Sequence, residues 1–212
     1  MIKAIIFDFG SVIYKTKWKE LNDFFSEKNG FSVLIANSED EELIRIYRDS
    51  DVGKENFKKF FFRINPNIAD IKKILNDYRE GYSKFKILNE DLLAIIKELK
   101  EQGFELFGFT DTKKEHYDAN VASGIYNGFK KIFTSFEFGH LKRGKEAFKK
   151  LAGELKKYNI SPPECIFVDD LLENIENAKD IGMKTIHYTD FPSVNSFREK
   201  LKRIINTNKM VS

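Results

Sequence analysis

Four stretches of the chain each carry a polar side chain just beyond an apolar run. Asp8 follows Ile2 to Phe7, Thr110 follows Phe104 to Phe109, Lys142 lies past Lys131 to Thr134, and the pair Asp169-Asp170 follows Cys165 to Val168. A strand that delivers such a group into a turn at its carboxyl end is a common way for an α/β protein to build a reactive crevice. Converging on one edge, these ends would gather carboxylates, a hydroxyl and an ammonium. Two adjacent acids directly after an apolar strand are costly unless a cation or donors satisfy them. Taken singly, each residue has a plainer reading. Asp8, before Gly10 and Ser11, would be a turn former, Asp170 a helix cap, and Thr110 and Thr112 ordinary strand-end hydroxyls. Lys142, with Lys145, Lys149 and Lys150, would belong to a solvated helix face. Their joint placement favours a site.

Positioning these groups requires strands that alternate with helices. Periodicity predicts a first strand over Lys3 to Asp8 and none of the same character until Phe104 to Phe109, which precedes a helix near Lys114 to Ala122. Lys131 to Thr134 then precedes a helix Lys145 to Tyr158, Cys165 to Val168 a helix Leu172 to Ile181, and Lys184 to His187 a helix Val194 to Ile205. Asn89 reads as the N-cap of a helix through Gln102, with Leu92, Leu93, Ile96 and Leu99 facing inward and Gly103 at its end. This alternation implies right-handed crossovers and a parallel sheet covered by helices on both faces. From about Trp18 to Lys84 the apolar residues instead recur at three and four, as in Leu21, Phe24 and Phe25 or Phe57, Phe60, Phe61 and Ile64. These are the stripes of amphipathic helices, broken near Gly30, Gly53 and Asn65-Pro66-Asn67. The Phe57, Phe60 and Phe61 stripe reads as the core of that insert.

The chain has 212 residues, 42% hydrophobic and 33% charged, which suits a soluble globular protein with one large domain or a core with a modest insert. Lys and Arg number 36 against 33 Asp and Glu, and the resulting +3 is too small and too evenly spread to argue for a nucleic-acid partner. Cys165 is the only cysteine, so no intrachain disulfide forms and a reducing compartment is expected. No signal-peptide pattern opens the sequence and no apolar run approaches the ~18 residues of a membrane span, so the expected location is cytoplasmic, with no membrane partner.

On Phe7-Asp8-Phe9-Gly10-Ser11-Val12, Thr110-Asp111-Thr112, Lys142, and Asp169-Asp170 with Asn174, the chain resembles the haloacid dehalogenase-like hydrolase superfamily, mostly phosphatases, over nearly its whole length. The first motif, together with Ser135-Phe136-Glu137-Phe138-Gly139 ahead of Lys142, is similar to the branch that includes sugar-phosphate phosphatases such as glucose-1-phosphate phosphatase. The resemblance implies a three-layer Rossmann-like α/β fold whose parallel sheet has the order 5-4-1-2-3. It implies a catalytic core over 1–15 and 87–212 and a small helical cap domain over 16–86, inserted after strand 1. It also implies roles. Asp8 would attack phosphorus to give an aspartyl-phosphate, splitting hydrolysis into two displacements. Mg²⁺, held by Asp8, Asp170 and the backbone carbonyl of Gly10, would neutralise the repulsion between carboxylate and phosphate. Asp169 would act through water or orient its neighbour, and Asn174 would support the acidic pair or Lys142. Lys142 would offset charge at the transferring phosphoryl group and Thr110 would donate a hydroxyl to it. Ser11 and Asp111 join these two as substrate-binding residues.

The sequence departs from the family pattern at Gly10, where most such phosphatases carry a second aspartate that protonates the leaving oxygen and then activates water. Candidate substitutes are Ser11, His140 or a residue of the cap. Arg143 stands where a proline usually follows the lysine, which predicts a looser loop. Cations near Lys15 to Lys19 and at Arg45 and Arg48 could meet a phosphorylated ligand, although a solvated role is favoured. His116 and His187 read as structural or exposed. The expected function is a Mg²⁺-dependent phosphatase of a small phosphate ester, with a sugar phosphate as one candidate and pairing as a homodimer left open. The alternative, motivated by Gly10, is a non-hydrolysing protein that keeps the site for binding or regulation. Dehalogenation is a third and poorer reading.

Overall fold

The computed structural model describes residues 1–36 and 38–209. The first strand, β1 (Ala4–Phe7), runs through a tight turn into β2 (Tyr14–Thr16). Four helices follow, α1 (Trp18–Asn29), α2 (Glu41–Asp51), α3 (Lys58–Ile64) and α4 (Ile71–Lys84), before β3 (Lys86–Leu88) pairs antiparallel with β2. After α5 (Glu90–Glu101) come β4 (Glu105–Thr110), α6 (Lys114–Ala122), β5 (Lys131–Thr134), the short α7 (Ser135–Phe138), α8 (Lys145–Lys156), β6 (Cys165–Asp169), α9 (Leu172–Asp180), β7 (Lys184–His187) and α10 (Asn195–Lys209).

The five long-range strands form one parallel sheet in the order β5-β4-β1-β6-β7. Counting only these strands and starting from β7, that is the expected 5-4-1-2-3. β1 is flanked by β4 and β6, so the winding reverses beside it and leaves a crevice at its carboxyl end. Each β1 side chain is buried, and alternate residues serve the two faces. Ile5 and Phe7 pack with Leu92, Ile96 and Phe197, whereas Ala4 and Ile6 pack with Phe148, Leu151 and Ile175. Gly108 on β4 has to lack a side chain, because a Cβ there would come within 2.4 Å of the Phe9 ring and 2.7 Å of Ile132.

The helical insert has its own apolar cluster, built on Phe25, Phe57, Phe60, Phe61 and Tyr78 and extended by Ala119 of α6. Its first three helices end close to the expected breaks at Gly30, Gly53 and Asn65-Pro66-Asn67, and Asp40 and Asp70 accept N-cap hydrogen bonds at the starts of α2 and α4. The β2–β3 ribbon at its base is legible in no alternation pattern, since three residues per strand are too few. Asn89 caps α5 as expected, and its Nδ2 also donates to the Tyr188 hydroxyl at 2.6 Å, tying this base to the core. No helix among the described residues is long and apolar enough to cross a membrane.

Candidate active site

The turn after β1 is wound tightly. Phe9 O accepts from both Ile13 N and Tyr14 N, and Ser11 sits at a φ of 58°, a left-handed conformation uncommon outside glycine. Asp8 is held toward β6 by its amide, which donates to Val168 O at 2.9 Å. Asp8, Gly10, Ser11, Thr110, Asp111, Lys142 and Asn174 line one crevice of 470 Å³, so strand ends far apart in sequence do converge.

Lys142 is the hub of this end. Its Nζ lies 2.6 Å from Asp8 Oδ1 and 2.7 Å from Asp169 Oδ2, and it is only 2% exposed. The other oxygen of Asp169 accepts from Leu171 N at 2.9 Å and from Asn174 Nδ2 at 3.0 Å. Asn174 thus bonds the first member of the acidic pair. The loop carrying Lys142 is pinned rather than loosened at Arg143. Asp111 accepts from the Lys142 amide, and Asn177 Nδ2 donates to the carbonyls of both Lys142 and Arg143 at 3.1 Å. These side-chain bonds do what a proline ring would otherwise do. Asp111 therefore serves the loop's backbone, although it also faces the crevice.

The charges do not balance. Asp8, Asp169 and Asp170 present carboxylate oxygens within 4.8 Å of one another. Burial pushes the Asp8 carboxyl up to about 8, against the opposing pull of Lys142, and Asp169 adds to the rise. Asp170 is raised too, by burial and by Asp169. Burial works to strip the proton from Lys142, but Asp169, Asp8 and Asp111 together outweigh it and keep the ammonium firmly charged. One ammonium among these acids leaves net negative charge in a low-dielectric pocket. That donor set, all hard oxygen, fits a small divalent cation. So does Asn174 Oδ1, which is buried with no hydrogen-bond partner among the described residues. Above Gly10 the space is open, with no atom of the described residues within 4 Å of where a Cβ would stand.

The opposite wall comes from the insert and from α6. Lys113, 1% exposed, ion-pairs with Asp51 of α2 at 2.5 Å and lies 3.6 Å from the centre of the Tyr47 ring. Sequence reasoning passed over it, although a lysine just after Thr110-Asp111-Thr112 at the head of a helix was the available signal. His116 is buried and structural, stacked 3.9 Å from Tyr82 and bonded through Nε2 to the Tyr78 hydroxyl at 2.8 Å. Burial, helped by Lys113 and Lys86, holds its pKa well below the usual imidazole value, so the ring is neutral. His187 bonds the carbonyl of Asp170 at 2.9 Å. His140 is exposed and does not line the crevice, which removes it as a substitute acid. Arg45 is occupied by Glu42, Asp49 and Glu55 on the surface, so the solvated reading holds for it. Asn177, three residues after Asn174 on the same helix, was also missed.

The family model described as haloacid dehalogenase-like hydrolase matches residues 2–182. Enolase-phosphatase E1 of Aquifex aeolicus is 25% identical over 224 residues, covering 94% of this chain and 99% of that protein. Sesquiterpene phosphatase astK of Aspergillus oryzae is 25% identical over 197 residues, covering 89% and 90%. Among solved structures, a HAD family enzyme of Bacteroides thetaiotaomicron in complex with magnesium and inorganic phosphate superposes with a TM-score of 0.68 at 19% identity, covering 88% of this chain and 93% of that one.

Proposed function

The chain belongs to the haloacid dehalogenase-like hydrolase family, and from that premise we propose that it is a Mg²⁺-dependent phosphatase of a small phosphate ester, working through an aspartyl-phosphate on Asp8. The observation that carries the reading is buried Lys142, in the crevice lining, bridging Asp8 and Asp169, with Asp170 completing the acid trio. Both phosphatase-named relatives support it, and so does the magnesium and phosphate complex of the structural neighbour.

Asp8, Asp170 and the Gly10 carbonyl would hold the ion, with Asp169 and Asn174 behind them. When bound, it supplies the positive charge that lets a carboxylate meet a phosphate dianion. The residues of the chain do the rest. A free oxygen of Asp8 attacks phosphorus, and the ester P–O bond breaks with its electron pair on the leaving oxygen, which takes a proton from water to depart as the alcohol. Water then attacks the aspartyl-phosphate, releasing inorganic phosphate and restoring Asp8. Lys142 stabilises the charge that develops on the phosphoryl oxygens, while Thr110 and Ser11 donate hydrogen bonds to them. With glycine at position 10, no carboxylate stands ready to protonate the leaving alcohol, and general-acid help worth ~10²- to 10⁴-fold is missing. Turnover is accordingly slow. The helices within 16–86 act as the cap, excluding water and choosing the leaving group. A sugar phosphate is the finer substrate reading that the sequence resemblance supplies.

Phosphate release from a panel of phosphate esters with Mg²⁺ tests the assignment. Wild type is active and Asp8→Asn falls by at least ~10⁴-fold; equal rates for the two proteins refute it. Tight ester binding with no turnover on any substrate would instead support the binding or regulatory role that Gly10 suggests.

A further inference from the structure

The crevice adjoins a second cavity of different character. It measures 230 Å³ and is lined by Leu21, Val33, Leu34 and Tyr78 of the insert, among others, with no charged side chain among the described residues. Trp18 and Tyr47 line both cavities and so form the wall they share. The Tyr78 hydroxyl is already taken by His116 and one face of Tyr47 lies over Lys113, so these residues offer the pocket carbon rather than free polar groups.

A second observation points the same way. Trp18, Leu34 and Leu171 are 42%, 45% and 57% exposed, unusually open for large apolar residues, and all three line one or other of these cavities. Leu171 stands on the core side, just beyond Asp169 and Asp170, and the other two on the insert. A concave apolar pocket with an apolar rim, set beside a polar crevice across the shared Trp18 and Tyr47 rings, is the shape of a site for a ligand with one charged and one greasy end. A polyhydroxylated sugar would need donors and acceptors on this wall to replace its lost water contacts.

We propose that the substrate is the phosphomonoester of an apolar alcohol, aliphatic or aryl, whose carbon skeleton occupies the pocket behind Trp18 and Tyr47. The inference rests on the phosphatase reading for its reaction but not for its binding. The phosphate sits among Asp8, Thr110 and Lys142, and the released alcohol is the group the insert selects.

Two measurements separate the inferences. The first is kcat/KM with Mg²⁺ for ethyl, butyl, hexyl and octyl phosphate beside glucose 1-phosphate. It rises about fourfold per added methylene until the pocket is full, as burial of each CH₂ predicts; a flat series, or preference for the sugar phosphate, overturns the proposal. The second reads Trp18, the single tryptophan of the chain, by fluorescence as the same alkyl phosphates are added to Asp8→Asn, with inorganic phosphate as control. Kd falls with chain length whether or not the wild type turns over, so absence of turnover with graded binding defeats only the phosphatase reading. Length-independent binding defeats the apolar pocket alone. In Leu34→Asp the ratio of octyl to ethyl kcat/KM, or of their binding constants, drops about tenfold, an internal comparison that a general loss of folded protein does not move.

Discussion

Two lysines, Lys142 fully buried and Lys86 half-buried, are treated in opposite ways. At the sheet edge, Lys142 is wedged between Asp8 and Asp169, and carboxylates keep its ammonium charged in spite of burial. At the base of the helical insert, Lys86 has no carboxylate partner among the described residues. It bonds Asn120 Oδ1 and lies 4.0 Å from the Tyr82 ring centre and 4.8 Å from that of Tyr14, and burial pulls its pKa down to about 7. The core edge is thus a preorganised array of charges, costly to assemble and useful where charge develops. The insert side is built from rings, with Lys113 already neutralised by Asp51. Changes in the first region should act on kcat, and changes in the second on KM or stability.

Lys142→Met is the severest challenge to that division. It leaves Asp8 and Asp169 buried without their counter-charge, so kcat falls by about 10³-fold and, in chelator, the protein loses roughly 3–5 kcal/mol in denaturant unfolding. Mg²⁺ recovers part of the stability and little of the rate. Gly10→Asp works in the other direction. The open space above Gly10 accepts the side chain, and kcat rises by about 10²-fold as a general acid is supplied; an unchanged rate would mean that leaving-group protonation does not limit turnover. Across the crevice, Asp51→Asn frees Lys113 from its ion pair. KM rises about tenfold, kcat stays within about twofold, and thermal unfolding registers a loss of roughly 1–2 kcal/mol, discounted because Asp51 is partly exposed. A fall in kcat instead would erase the distinction between the two walls.

The smallest effect is on pH dependence. Lys86 has a folded pKa depressed from 10.5 to about 7, so the unfolded chain binds its proton over a range where the folded chain does not. Its contribution to stability is fully present above about 10.5 and is lost as pH falls toward 7. Lys86→Met removes that slope, a change on the order of 1 kcal/mol between pH 10 and 7 once solvent screening of a half-buried group is allowed for. Melting temperatures across the range, compared with wild type, measure it.

Much of the reactive edge was legible because its residues follow apolar strands, and a buried strand writes its own limits as a run of β-branched and aromatic residues. Asp8, Thr110, Lys142 and Asp169 were placed together at one end in that way, and the helices of the insert were read from their spacing. The β2–β3 ribbon was not, being shorter than any period. Lys113 was missed because its importance depends on α2 lying against the head of α6, and nothing local to that position records the contact. Asn177 was missed for the same reason, since its partners are backbone carbonyls about 35 residues earlier.

The sequence by itself therefore determined the sheet, the insert and the residues at the strand ends, because hydrophobic periodicity and turn chemistry act over a few residues and are written where they act. Only the tertiary structure decided that the Lys142 loop is pinned, that His140 stands outside the crevice, and that Trp18 and Tyr47 divide a charged cavity from an apolar one. Those outcomes depend on burial and on distances between segments remote in the chain, where electrostatics and packing are set by neighbours that no local pattern names.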